Sequence, residues 1–182
     1  MVRPVELIPL VCLKCDTPVP AQPDEVAWVC ARCGQGLLLN ESDARGLSPL
    51  VVQYAAGLDP ARPGKPFWVA EGSVQLQRST YAALSDKDGE ARQLWSQPRR
   101  FFIPAYEVPL QTLADLGPRL VLNPPALQAG PPAAFEPVTV SPEDLPALAE
   151  FIVLAIEAGR SDMLKQVQIQ VRLSEPVLWV LP

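Results

Sequence analysis

The chain has 182 residues, 48% apolar and 19% charged, with 15 Lys+Arg against 20 Asp+Glu and a formal charge of −5. That size suits one mid-sized domain with a small satellite, or two small domains, and the apolar content belongs to a folding chain. Histidine is absent, which excludes Ser-His-Asp and Cys-His catalysis, histidine-ligated metals and histidine pH sensing, while 22 prolines against 10 glycines favour short strands and stiff loops.

Met1-Val2-Arg3-Pro4 reads as no signal peptide, because no long apolar run follows the early charge. The most apolar stretch, residues 145–158, is too short for a bilayer, which needs about 20 residues. A soluble, cytoplasmic protein is therefore expected. The four cysteines, Cys12, Cys15, Cys30 and Cys33, form two Cys-x-x-Cys pairs separated by 14 residues. In a cytosolic chain that pattern points to metal before disulfide. Two residues between ligands let a tight turn aim both sulfurs at one ion, and a hairpin can bring two such turns face to face. Four thiolates then complete a tetrahedron around Zn²⁺. Gly34 offers the positive-φ position such turns favour, and Asp16 stands in the equivalent place after Cys15. Lys14 and Arg32 are placed to offset the surplus thiolate charge.

These two knuckles, with strands at 26–29 and 36–39 flanking the second, resemble a zinc ribbon over residues 10–40. Zinc that only holds the hairpin together is the simplest role. Catalytic zinc is disfavoured because four sulfurs leave no open position. A redox dithiol pair lacks a thioredoxin-like setting, and a rubredoxin-like iron site is a further alternative.

Residues 1–40 are assigned to the ribbon and 41–182 to a mainly antiparallel β domain. Strands are expected at 50–55, 67–77 and 100–108. Phe67-Trp68-Val69 and Phe101-Phe102-Ile103 lie 34 residues apart, with Val74, Leu76 and Gln77 matching Val108, Leu110 and Gln111 at the same offset. Leu178-Trp179-Val180 is a shorter echo, and chance is a live explanation because strands draw on few residue types. Asp86-Lys87-Asp88-Gly89-Glu90 reads as a turn, not a calcium loop, since it lacks the full ligand series. Arg92, Trp95, Arg99, Arg100, Phe101 and Phe102 mix positive charge with rings, as nucleic-acid grooves do. A buried strand with arginines at its solvent boundary explains them more simply. The acidic balance also disfavours a phosphate-binding surface, and the first 40 residues hold three basic and four acidic side chains. Core or sheet-edge packing is likewise the plain account of Pro66-Phe67-Trp68 and of Phe102-Ile103-Pro104-Ala105-Tyr106, with Pro104 marking an edge or bulge. If these segments line a groove, Phe67, Trp68, Arg99, Arg100, Phe102 and Tyr106 are the candidate partner-binding residues, because an open edge beside aromatics can accept another strand.

A short helix at 109–116 is expected to stop at Gly117-Pro118. Six prolines make 118–140 an extended connector. A second helix at 142–158 has Ser141 as N-cap and Gly159 as C-cap, its regular part starting at 144 or 145 because Pro146 removes a hydrogen bond. Leu145, Leu148, Ile152 and Ile156 form its apolar face, and Glu143, Glu150 and Glu157 a solvated acidic stripe. In 166–173, apolar residues alternate with glutamines and Arg172, giving a strand with one wet face. Ser174-Glu175-Pro176 is expected to turn it back into a hairpin with 177–181.

Beyond the ribbon, the order of a four-cysteine unit, Pro66-Phe67-Trp68 and Phe102-Ile103-Pro104-Ala105-Tyr106 resembles a family of uncharacterised bacterial zinc-ribbon proteins. The resemblance implies an architecture and carries no activity. The expected fold class is α+β: an N-terminal four-cysteine zinc ribbon, then a mainly antiparallel β domain with one covering helix. A non-enzymatic interaction module or assembly subunit with a protein partner is the leading expectation. A nucleic-acid-binding ribbon and a thiol redox protein follow.

Overall fold

A computed structural model describes residues 9–40, 42, 43, 45–81, 87–160 and 164–182. Residues 1–8 and Asp86 lie outside them, while the other residues of the expected turn, 87–90, open a helix, Lys87–Trp95. The fold is mixed α+β, with antiparallel pairing dominant. No helix among the described residues is long and apolar enough to cross a membrane.

Strands β1 (Ala27–Val29), β2 (Gly36–Leu39) and β3 (Leu47–Leu50) form a small antiparallel meander. Its third strand comes from beyond residue 40. The strand expected at 50–55 is divided: β3 ends on the small sheet, and β4 (Val52–Tyr54) starts the large one. Val51, 59% exposed, is the crossing point.

The large sheet is organised by β5 (Lys65–Thr80), a 16-residue strand. One edge pairs with β6 (Arg99–Pro104). The other pairs first with β8 (Val177–Leu181) and then with β7 (Leu164–Leu173). The expected β7–β8 hairpin is therefore not formed. Leu173 opposes Gly72 and Val177 opposes Val69, so the two strands run end to end along the same partner. Ser174-Glu175-Pro176 makes a one-residue excess over the facing stretch, a bulge in place of a turn. Ser174 stays anchored, its N–H donating to Glu71 O at 2.8 Å and its Oγ accepting from Glu71 N. A chain that keeps bonding to β5 on both sides of the bulge has no need to reverse. β4 pairs with β8 in parallel.

The three aromatic-aliphatic echoes are neighbours: Trp68 opposes both Ile103 and Leu178, and Phe67 opposes Trp179. They are the cross-section of one sheet. No structural repeat extends past them, since Val74 and Leu76 lie in a strand while Val108 precedes a helix and Leu110 begins it.

Residues 66–70 of β5 are buried on both faces. Trp68 joins Phe101, Ile103 and Leu178 beneath the helices, and Phe67, Val69 and Phe102 form a second cluster on the opposite face. From Glu71 onward β5 alternates between exposed and more buried residues, and only one face is covered. The covering helix is α3 (Leu145–Ala158), which packs on β7 and follows a 3₁₀ turn whose Ser141 Oγ accepts from Glu143 N. Pro146 falls in the first turn of α3, where no intrahelical bond is lost. The helix expected at 109–116 does not stop at Gly117-Pro118: α2 is Leu110–Leu122. A Cβ on Gly117 would lie 2.5 Å from Ile152 Cγ1, so this glycine lets α2 approach α3 closely. Leu113 and Val121 on the same side are buried, and that packing offsets the hydrogen bond Pro118 forfeits.

The connector therefore begins only after Leu122, and it is stitched to both sheets. Gly130 N–H donates to Tyr54 O, Glu136 N–H to Gly64 O, and Val26 N–H to Val138 O, at 2.7–2.9 Å. The acidic stripe on α3 is corrected too. Glu143 is exposed and Glu150 half-buried, but Glu157 is 0% exposed. Trp95 of α1 (Lys87–Trp95) donates Nε1–H to Glu157 Oε1 at 2.8 Å; Arg78 Nε lies 3.3 Å and Arg160 Nε 3.0 Å from its other oxygen.

Candidate metal centre

The cysteines sit on two matching turns. In the first, Cys12 N–H donates to Thr17 O (2.8 Å) and Asp16 N–H to Cys12 O (3.0 Å). In the second, Cys30 N–H donates to Gln35 O (2.9 Å) and Gly34 N–H to Cys30 O (2.8 Å). The residue after the last cysteine has positive φ in each, 53° at Asp16 and 72° at Gly34. Asp16 is held there by Arg45, whose Nη2 lies 3.0 Å from Oδ1 and whose Nη1 donates to Leu13 O.

Behind the sulfurs lies a small core of Trp28, Leu37 and Leu47 with Cys12 and Cys30, fringed by Leu10, Leu13 and Val19. Strand alternation places these residues: Trp28 opposes Leu37 on the sulfur side, whereas Ala27 opposes Leu38 on the side that joins the main core. Glu25 accepts from Trp28 Nε1–H and from Gln22 N–H, both at 2.8 Å. None of Thr17, Glu25, Trp28 or Arg45 is marked by the Cys-x-x-Cys pattern, although Trp28 stands two residues before Cys30, on the strand that delivers it.

The four Sγ atoms lie within 4.8 Å of one another. Cys12 to Cys33 is 3.5 Å and Cys15 to Cys30 is 3.6 Å, far beyond a disulfide, and all four thiols are unpaired. A tetrahedron with metal–sulfur arms of about 2.3 Å has edges of about 3.8 Å, so the donors fit one zinc-sized ion. The metal-free thiols are poorly matched to each other. The hydroxyl and N–H of Thr17 bring Cys15 down to about 6. The N–H groups of Cys33 and Arg32 lower Cys30. At Cys33 the N–H of Gln35 pulls down, but burial and the three neighbouring thiols outweigh it and push the group up to about 12. A divalent cation removes the conflict by neutralising the thiolates together. Lys14 and Arg32 are both exposed.

The candidate partner-binding residues form no open groove: Phe67, Phe102 and Tyr106 share one cluster and Trp68 lies in the other. Phe67, Trp68 and Phe102 are in the core, at 7%, 1% and 0% exposure, and Trp68 Nε1–H donates to Val140 O. Arg99 Nε–H donates to Leu94 O, and Arg100 pairs with Glu71 at 2.8 Å. Half-buried Tyr106 meets Phe67 edge-on at 6.1 Å and carries Lys65 Nζ over its ring. Trp95 and Phe101 are buried as well, so the basic-aromatic cluster presents no row of stacking rings. No protein-family model matches the chain, and no curated protein or solved structure is detectably similar to it.

Proposed function

We propose that this is a non-catalytic zinc-ribbon protein in which Cys12, Cys15, Cys30 and Cys33 hold one structural Zn²⁺ and the folded chain acts as an interaction module or assembly subunit for a protein partner. The closed donor set carries this: four sulfurs converge within 4.8 Å, and four thiolates leave no position for a substrate. Units below about 40 residues usually need a metal, disulfides or a partner to fold. Bound zinc supplies that folding free energy. Four unpaired thiols suit a reducing, cytoplasmic compartment. The net charge of −5 favours protein over nucleic acid. With Phe67, Trp68 and Phe102 in the core, a partner meets other surfaces.

Metal analysis and crosslinking in native lysate test the two halves. One zinc per chain, ribbon melting on chelation and a reproducible crosslinked protein are expected. A metal-free yet fully ordered ribbon, or a chain that captures no protein, overturns the corresponding half. A thiol-redox role is the alternative that half-exposed Cys15, brought down to about 6, favours. Stoichiometric zinc with no free thiol before denaturation excludes it.

A further inference from the structure

Among the described residues, several strand edges are covered. Residues 128–130 bond along β4, Val138 covers β1, and α2 packs against β6. The outer edge of β7 is different. β7 pairs with β5 alone, and its free side runs along ten residues that contain no proline. The N–H of Val171 faces outward, since it donates to the carboxylate of Glu150 at 3.3 Å. Antiparallel bonding alternates, so Val167 and Ile169 face outward as well, and among the described residues neither backbone N–H has a partner. Two devices bound the open stretch. Glu150 occupies the edge at Val171, and a register shift between Ser79 and Thr80 leaves Lys165 as the extra residue of a bulge at the other end.

We propose that this edge pairs with the same edge of a second copy, giving a two-fold dimer centred on Gln168. In that register Val167 opposes Ile169 of the second copy and Ile169 opposes its Val167. The outward N–H and C=O groups on each side then satisfy each other. Gln168 meets its own counterpart and Gln166 meets Gln170, so the exposed glutamine rows, where Gln168 already opposes Gln77 and Gln170 opposes Gln75, continue across the axis. Charge selects the occupant. Val171, with Glu150 at its edge, comes opposite exposed Lys165 of the second copy, whose Nζ leaves its place over its own Tyr81 ring to reach that carboxylate, and the two-fold axis makes this pairing twice. Shifting the centre by one residue toward Ile169 breaks it, placing Lys165 opposite Leu173. An unpaired, self-complementary edge of this kind is a template for strand addition.

Sedimentation of the intact zinc-loaded chain over a range of concentrations, with hydrogen exchange on the same samples, tests the dimer. The expected result is a reversible monomer–dimer equilibrium in which Val167 and Ile169 amides gain protection as concentration rises. Val167→Pro removes an N–H that β5 does not use and is expected to give a folded monomer. Lys165→Glu is expected to weaken the dimer, and adding Glu150→Lys to restore it. The proposal is overturned if the wild type stays monomeric throughout, which would leave the edge to a different strand. A dimer whose Val167 and Ile169 amides exchange freely, or one that survives a folded Val167→Pro, overturns it too. Should Val167→Pro fail to fold, wild-type exchange and the charge swap decide alone. Each outcome is independent of the zinc assignment, because the metal stays in place.

Discussion

The cysteine unit and the large sheet solve the same problem at different scales. The unit brings Trp28, Leu37 and Leu47 together behind two turns, a core too small to repay the ordering of its loops. The large sheet buries aromatic and branched residues on both faces of β5, with α3 over one face and α2 packed against both clusters. Under the function proposed above the first is completed by a metal, whereas the second is completed by packing. They are nonetheless joined, because Ala27 and Leu38 turn away from the sulfurs into the large core. Removing the metal should therefore loosen one region and leave the other standing.

Zinc removal is the largest perturbation. Structural zinc in small domains is worth about 10–16 kcal/mol in apparent binding free energy at neutral pH. Chelation, or Cys30→Ser, is expected to expose Trp28 and abolish amide protection over residues 10–40 while β5, β6 and α3 keep theirs. Tryptophan emission and exchange mapping check this; loss of both regions together would mean that they form one cooperative unit. Next comes Glu157→Ala. It strips Arg78 and Arg160 of a shared buried carboxylate, and breaking such a pair costs about 3–5 kcal/mol. A fall in the urea midpoint with zinc content unchanged is expected.

Gly117→Ala drives a methyl group into Ile152 and is expected to cost about 1–3 kcal/mol, again without metal loss, by the same denaturation assay. The smallest effect belongs to Gly34→Ala. There is open space around that Cβ, so the penalty is conformational, about 1–2 kcal/mol for a left-handed residue. It should appear as roughly tenfold weaker zinc binding in a chelator competition. The large sheet should not register it.

The cysteine cluster was legible because each of its two turns is local. Two intervening residues set each turn, and a glycine or aspartate follows each pair in the left-handed conformation. The wet-faced strand at 166–173 and the start of α3 at Leu145, one residue before Pro146, were legible for the same reason: alternation and first-turn chemistry involve neighbours in the chain. Burial of the aromatic strands was also the simpler expectation, and both clusters bear it out.

What failed depended on distant partners. Ser174-Glu175-Pro176 has the composition of a turn, yet β5 supplies bonding on both sides of it, and a bulge keeps the chain straight. Gly117-Pro118 resembles a helix stop, yet Ile152 makes the glycine a contact and α2 runs on. Glu157 shares its spacing with exposed Glu143, and only the approach of Trp95, Arg78 and Arg160 makes it a buried charge. Short-range sterics and ligand spacing are written into consecutive residues, so they survive reading one stretch at a time. Edge pairing, close helix contact and buried charge are properties of pairs far apart in the chain, and they are decided when the sheet assembles.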